Sequence, residues 1–344
     1  MWNRVRSFFS QRPSDQPTSL LGLHAAVRAA EVAGESLAHV PTVNVSGAAI
    51  DQSFLDRVLS AEADAGIRPG RAEHAALEAF TAVLESDLAD RQLIPRLPAM
   101  LPRLMSTLRD PASTNRQLAS LIGRDMVSVS EVLRLANSPF YRRSHETRSL
   151  EQAVLVIGRE GLKQMVSNLL VKPIFGAHQG RFSAAAGPLL WEQSEKAAVV
   201  NAALAKHDRA DEFDAYLAGI SSNLGLLVGC RVLDKLATPL PQPHSQAFRE
   251  QWLNISRQLS ARVIRLWDFP GAACDALDGL LTVNSQLPAD SVRLYSAERF
   301  SRYHCLHDGL LPVVDAAVPR PDPLATEHFT LAMGVLARFE QRRT

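Results

Sequence analysis

Between Asp214 and Arg231 the chain runs for sixteen residues without a charge, AYLAGISSNLGLLVGC, and no other stretch constrains the fold as much. At helical spacing Phe213, Leu217, Ile220, Leu224, Leu227 and Val228 point several ways round the cylinder. A helix that is apolar on all sides is either the central helix of a domain or a membrane span. Sixteen residues fall short of the roughly 18 to 20 that a span needs. Ser221, Ser222 and Asn223 in the middle would also be costly in lipid. The expectation is one buried central helix and no membrane span, with a polar centre that needs a reason. Gly219, Gly225 and Gly229 in the same run lower helix propensity by about 1 kcal/mol each. They are read as points of close helix–helix approach, because the GxGxxG spacing of a nucleotide loop is absent.

With 344 residues, 46% of them hydrophobic, the chain can bury a substantial core in one large or two moderate domains. Its net charge of +1 argues against a global nucleic-acid footprint. Three dispersed cysteines, Cys230, Cys274 and Cys305, form no CxxC pair and suit a reducing cytoplasm. The N-terminal MWNRVRSFFSQR lacks the apolar core of a signal peptide. Trp2, Val5, Phe8 and Phe9 set against Arg4, Arg6 and Arg12 allow an interfacial anchor, but a frayed or docked helix is the preferred reading.

Helical periodicity governs the rest. Phe54, Leu55, Val58 and Leu59 share one face, as do Leu77, Phe80, Leu84 and Leu88, while PTVNVSG (41–47) is at most one short strand. Residues 1–92 therefore read as a helical extension. Thr114-x-x-Gln117 and Ser149-x-x-Gln152 have the capping-box pattern of helix starts, and Asn137-Ser138-Pro139 and Gly158 mark stops. Pro188 is placed in the first turn of a long helix carrying Trp191, Ala198 and Leu204. Four prolines between Pro312 and Pro323 mark a linker, after which Asp322-Pro323 opens a last helix striped with Phe329, Met333, Leu336 and Phe339. That stripe is expected to dock on its own domain. The fold class is all-α: an extension over 1–92, a main domain over 93–310, and a linker with a C-terminal helix over 311–344.

The order of these pieces resembles the HDOD domain, the HD-related output domain of bacterial signalling proteins. The likeness is carried by LPRLMSTLRDPASTNRQLASLIGRDMVSVSEVLRLANSPFYRR (101–143), SLEQAVLVIGREGLKQMV (149–166), LLWEQSEKAAVVNAALA (189–205), the central apolar run, and LSARVIRLWDFPGAACDAL (259–277). Asp125-Met126 departs from the family's usual Asp-Pro. The resemblance implies an HD-like helical bundle. The wider HD superfamily holds catalytic metal on a His, a His-Asp pair and a distant Asp, where the ion supplies activated water. The resemblance brings Gln193 to the first position, Ser222-Asn223 to the pair, and Glu298 near the last. It thus implies a lost metal site, no cofactor, and a non-catalytic, cytoplasmic regulatory protein that works through signalling partners, with no nucleic acid and homo-oligomerisation left open.

Rival readings attach to particular residues. HCLHDG (304–309) contains a literal His-Asp pair, so His304, His307, Asp308 and Cys305 could be drawn as a metal site. Without a third converging segment, a polar helix end is preferred. Asn137 and Ser138 read as helix-stop residues, and Arg142, Arg143 and Arg148 as a solvated basic cluster. Ser222 and Asn223 could line a pocket for a nucleotide or cyclic dinucleotide, or could hydrogen-bond within the core. A divergent metal-dependent phosphohydrolase is the remaining alternative.

Overall fold

The computed structural model describes residues 47–306, except 62, 89–100, 111, 125, 138–140, 142–145, 177–179, 238–239, 241 and 282–286, together with 326–341. The expectations for the N-terminal segment, the strand at 41–46, the linker at 312–323, and Ser138, Arg142, Arg143, His307 and Asp308 lie outside the described residues. The fold is all-α, as expected. The chain order is α1 (Gly47–Leu59), β1 (Ala63–Asp64), α2 (Arg71–Glu85), α3 (Leu101–Arg109), α4 (Asn115–Ile122), α5 (Met126–Ala136), α6 (Leu150–Gly176), α7 (Arg181–His207) and α8 (Glu212–Ser221). It continues with α9 (Leu224–Lys235), β2 (His244–Ser245), α10 (Gln246–Leu266), α11 (Gly271–Gly279), α12 (Ala289–Leu306) and α13 (Thr326–Gln341). The strand content among the described residues is one two-residue parallel pairing of β1 with β2.

Local signals place several boundaries where the sequence puts them. The amide of Gln117 donates to the Thr114 hydroxyl at 3.2 Å, and the Gln117 side chain accepts from the Thr114 amide at 2.7 Å. This reciprocal box satisfies two N–H groups that a helix start leaves without partners. Gln152 N–H donates to the Ser149 hydroxyl at 3.1 Å. Within α6, Gly158 takes φ 72°, a left-handed conformation that breaks the run into two helical pieces.

Two expectations need correction. The long helix α7 begins at Arg181, so Pro188 lies in its interior and not in its first turn. The earlier start has a tertiary cause. The Asp234 carboxylate, from the last turn of α9, accepts from the amides of Phe182 (2.6 Å) and Ser183 (3.1 Å) and from the Ser183 hydroxyl. An anion placed against the open amides of a first turn stabilises it.

The second correction concerns the central run, which is two helices and not one. The chain turns at Ser222-Asn223, with Asn223 at φ −95°, ψ 5°. Ser260 of α10 explains the break. Its hydroxyl donates to the Ser222 carbonyl at 2.9 Å and accepts from Gly225 N–H at 2.8 Å, so it satisfies backbone groups on both sides. Gly225 permits this contact: a Cβ there would lie 1.8 Å from the Ser256 carbonyl oxygen. At Gly219 a Cβ would lie 2.6 Å from Ala198 Cα, so α8 packs directly against α7. By length and composition Glu212–Lys235 could cross a membrane, yet its whole apolar window is buried inside the fold.

The residues before the main bundle share its core. Phe54, Leu55, Val58, Leu59, Leu77 and Phe80 belong to the same buried cluster as Leu190, Leu227 and Trp252. Phe80 meets Trp252 with ring centroids 4.4 Å apart. Polar anchors follow the same seam: Glu73 accepts from the Ser245 amide (2.8 Å) and hydroxyl (2.7 Å), and Arg249 pairs with Asp56. At the other end α13 docks on its own chain, as expected. Ala332, Met333 and Leu336 are buried against Val200, Leu204, Ala297 and Phe300. Lys196 of α7, almost fully buried, reaches Glu340 at 2.8 Å and Glu192 at 2.6 Å.

Candidate functional site

The break between α8 and α9 turns Asn223 toward α7. Its amide Nδ2 donates to the Leu190 carbonyl (3.1 Å), the Ser194 hydroxyl (3.1 Å) and the Gln193 side-chain oxygen. Gln193 in turn donates through Nε2 to the Ser301 hydroxyl at 2.7 Å and the Glu298 carbonyl at 3.3 Å. Ser301 passes the chain on to the Ala297 carbonyl at 2.7 Å. Gln193, Ser194, Asn223 and Ser301 are each 0% exposed. An unpaired buried polar group costs about 1–3 kcal/mol, and in this network Asn223 Oδ1 alone of the two amide side chains' polar atoms lacks a partner among the described residues.

The structure brings together Gln193 and Asn223 but separates the other two sequence-derived positions from them. Ser222 turns away and donates to the Gly219 carbonyl at 3.0 Å. Glu298 contributes only its backbone carbonyl to the network, while its carboxylate faces Arg302 at 3.3 Å and Arg257 at 3.8 Å. Those arginines belong to a second, charged cluster that the sequence reading did not assemble. Asp51 of α1 lies 2.5 Å from Arg302 and 3.8 Å from both Arg257 and Arg299. Burial alone would push the Asp51 carboxyl up, but Arg302, Arg257 and Arg299 together outweigh it and hold the group below its ordinary value. Burial likewise pulls the Arg302 guanidinium down, and Glu298 and Asp51 more than reverse that. Asp51 sits up to 251 residues from its partners, so no local pattern could have announced it.

The remaining candidates resolve one by one. Asn137 closes a loop: its side chain donates to the carbonyls of Leu133 (2.9 Å) and Thr147 (2.8 Å) and accepts from the Thr147 amide (2.8 Å). His304 is buried on α12 with Nδ1 4.0 Å from Glu340, which places it in the docking seam of α13. Arg148 is exposed and pairs with Glu146 at 3.1 Å. An open polar depression lies elsewhere, lined by Arg103, Asp110, Gln117 and Arg124 among others. Cys230, Cys274 and Cys305 are all free and buried. A second His-Asp dipeptide in the sequence, His207-Asp208 in KHDR, meets His328 of α13 in the folded chain.

Comparison with known proteins agrees with this architecture. A profile of the HDOD domain matches residues 94–279. An uncharacterized protein of Treponema pallidum (strain Nichols) is 26% identical over 155 residues, which is 44% of this chain and 29% of that protein. The chain thus spans under a third of that relative's length. The crystal structure of an HDOD domain protein with unknown function from Geobacter sulfurreducens superposes with a TM-score of 0.51 at 17% identity, covering 78% of this chain and 94% of that one. A Shewanella amazonensis SB2B structure, named for a candidate metal-dependent phosphohydrolase, gives 0.49 at 18% identity, over 78% and 99%. At 17% identity the Geobacter likeness speaks for the fold alone. The profile, in contrast, spans more than half of the chain and runs through the pieces that carry the sequence resemblance, and this chain belongs to the HDOD domain family.

Proposed function

We propose that this HDOD protein is a non-catalytic regulatory component of bacterial signal transduction, cytoplasmic, and active through contacts with other proteins. The observation that carries the reading is the direct amide-to-amide hydrogen bond between Gln193 and Asn223. Family resemblance puts both residues where an HD hydrolase would hold its ions. Neutral amides and hydroxyls are weak ligands for a divalent cation without carboxylates beside them. The carboxylate that the resemblance brings near the last ligand position, Glu298, is engaged with Arg302 and Arg257. The residues present do not suit a catalytic metal.

The test pairs an activity assay with a reconstitution. Purified chain supplied with Mg2+, Mn2+ or Zn2+ is expected to show no turnover of aryl phosphates, nucleotides or cyclic dinucleotides. Turnover that disappears in Asn223→Ala would overturn the reading in favour of a divergent phosphohydrolase. Saturable stabilisation by a nucleotide or cyclic dinucleotide, lost in the same variant, would favour a small-ligand sensor. Crosslinking in the native cell should recover a partner that rebinds the purified chain, and failure to find one that rebinds would count against a protein-interaction role.

A further inference from the structure

The last turn of α7 ends in His207, and Asp208 follows as its C-cap. From α13, at the far end of the chain, His328 comes down onto the same spot. His207 Nδ1 is 3.1 Å and His328 Nε2 is 3.2 Å from the same Asp208 oxygen, Oδ1. The two imidazole rings stand at 89° with centroids 5.4 Å apart. One ligand atom from each residue can be chosen so that all three lie within 4.8 Å of one another.

These separations suit a metal ion. With metal–nitrogen and metal–oxygen bonds of about 2.0–2.1 Å, tetrahedral geometry sets neighbouring ligand atoms about 3.3 Å apart. Two of the three edges are already near that length. The set is two imidazoles and one carboxylate, which favours Zn2+ and its neighbours over Mg2+ or Ca2+. The other carboxylate oxygen, Oδ2, is 3.2 Å from Arg293, whose side chain is 7% exposed and also pairs with Asp290. That is the outer partner a ligating carboxylate ordinarily has, and it leaves Oδ1 to the cation. Asp208 and Asp290 together balance Arg293 and one of the two positive charges of the ion. His207 and Asp208 face solvent, so the ion has a way in and a position left for water.

We infer that His207, Asp208 and His328 form a binding site for a divalent transition-metal ion of the Zn2+ type, which fastens the C-terminal helix to the end of α7. The site is separate from the Gln193–Asn223 network. Its three ligands come from two segments, the end of α7 and α13, with Asp208 and His328 120 residues apart in sequence, so the ion ties distant parts of the chain together.

The test uses full-length chain without a histidine tag, stripped with chelator and titrated with Zn2+ and Co2+ at about pH 7.5, where free imidazole is neutral. One equivalent should bind, with the visible absorption of low-symmetry Co2+ and a rise in melting temperature. His207→Ala, at an exposed position, should weaken binding at least tenfold without disturbing the fold, and His328→Ala should do the same. His74→Ala, an exposed histidine on α2, and Asn223→Ala should leave affinity unchanged. Absence of saturable binding, or binding that persists in the His207→Ala, His328→Ala double variant, would overturn the site. Because Asn223 is outside it, failure here is distinguishable from failure of the regulatory reading.

Discussion

Two polar clusters meet at one residue of α12 and are built on opposite principles. Through its backbone carbonyl, Glu298 closes the neutral network of Gln193, Asn223 and Ser301. Through its carboxylate it joins the charged cluster of Asp51, Arg257, Arg299 and Arg302. The neutral network lies wholly within the matched HDOD region and α12, whereas the charged one draws Asp51 from α1. Buried charges are costly unless paired, so the second cluster makes the preceding helices part of the bundle's own energetics. The difference shows how one residue can close a neutral network through its backbone and an ionic one through its side chain.

The largest expected effect breaks the charged side. Arg302→Met removes the cation between two carboxylates and should destabilise the fold by about 3 kcal/mol or more, read by urea unfolding. Asp51→Asn should cost less, because Arg302 still faces Glu298. Its signature lies in pH dependence. The folded carboxyl is held below its ordinary 3.8, so its contribution is fully present above that value and is lost as pH falls toward the folded one. The wild-type protein should therefore lose stability more steeply than Asp51→Asn in the acid limb below about pH 4. If the two limbs run parallel, Asp51 is not part of a working ion cluster.

On the neutral side, Asn223→Ala strands the Gln193 oxygen and should cost about 2 kcal/mol. No group in that network titrates near neutrality, so this loss should stay constant from pH 5 to 8, about the range in which His titrates. Ser301→Ala, which removes one acceptor from Gln193, should cost about 1 kcal/mol. A pH-dependent loss in either variant would erase the contrast between the clusters.

Legibility in the sequence followed the range of each interaction. Thr114 and Gln117 lie three residues apart, so their box could be read directly, and so could the Ser149 cap and the stop at Gly158. Close approach at Gly219 and Gly225 was also foreseeable, although which backbone would fill the space was not. The site was half legible. Resemblance put Gln193 and Asn223 at related positions, and the fold joins them, but Ser222 serves its own turn and Glu298 faces the other way. His207-Asp208 was readable as a dipeptide, yet only its meeting with His328 makes it a candidate for anything.

By itself, then, the sequence determined the all-helical class, the burial of the run from Ala215 to Gly229, and the local starts and stops of helices. Periodicity and capping depend on residues within a turn or two of one another. Tertiary structure decided where α7 begins, through Asp234, and that the central run would bend, through Ser260. It also decided which charges Asp51 would meet. Each of these depends on a polar group brought from a distant segment, and a hydrogen bond or ion pair of that range leaves no local pattern in the sequence.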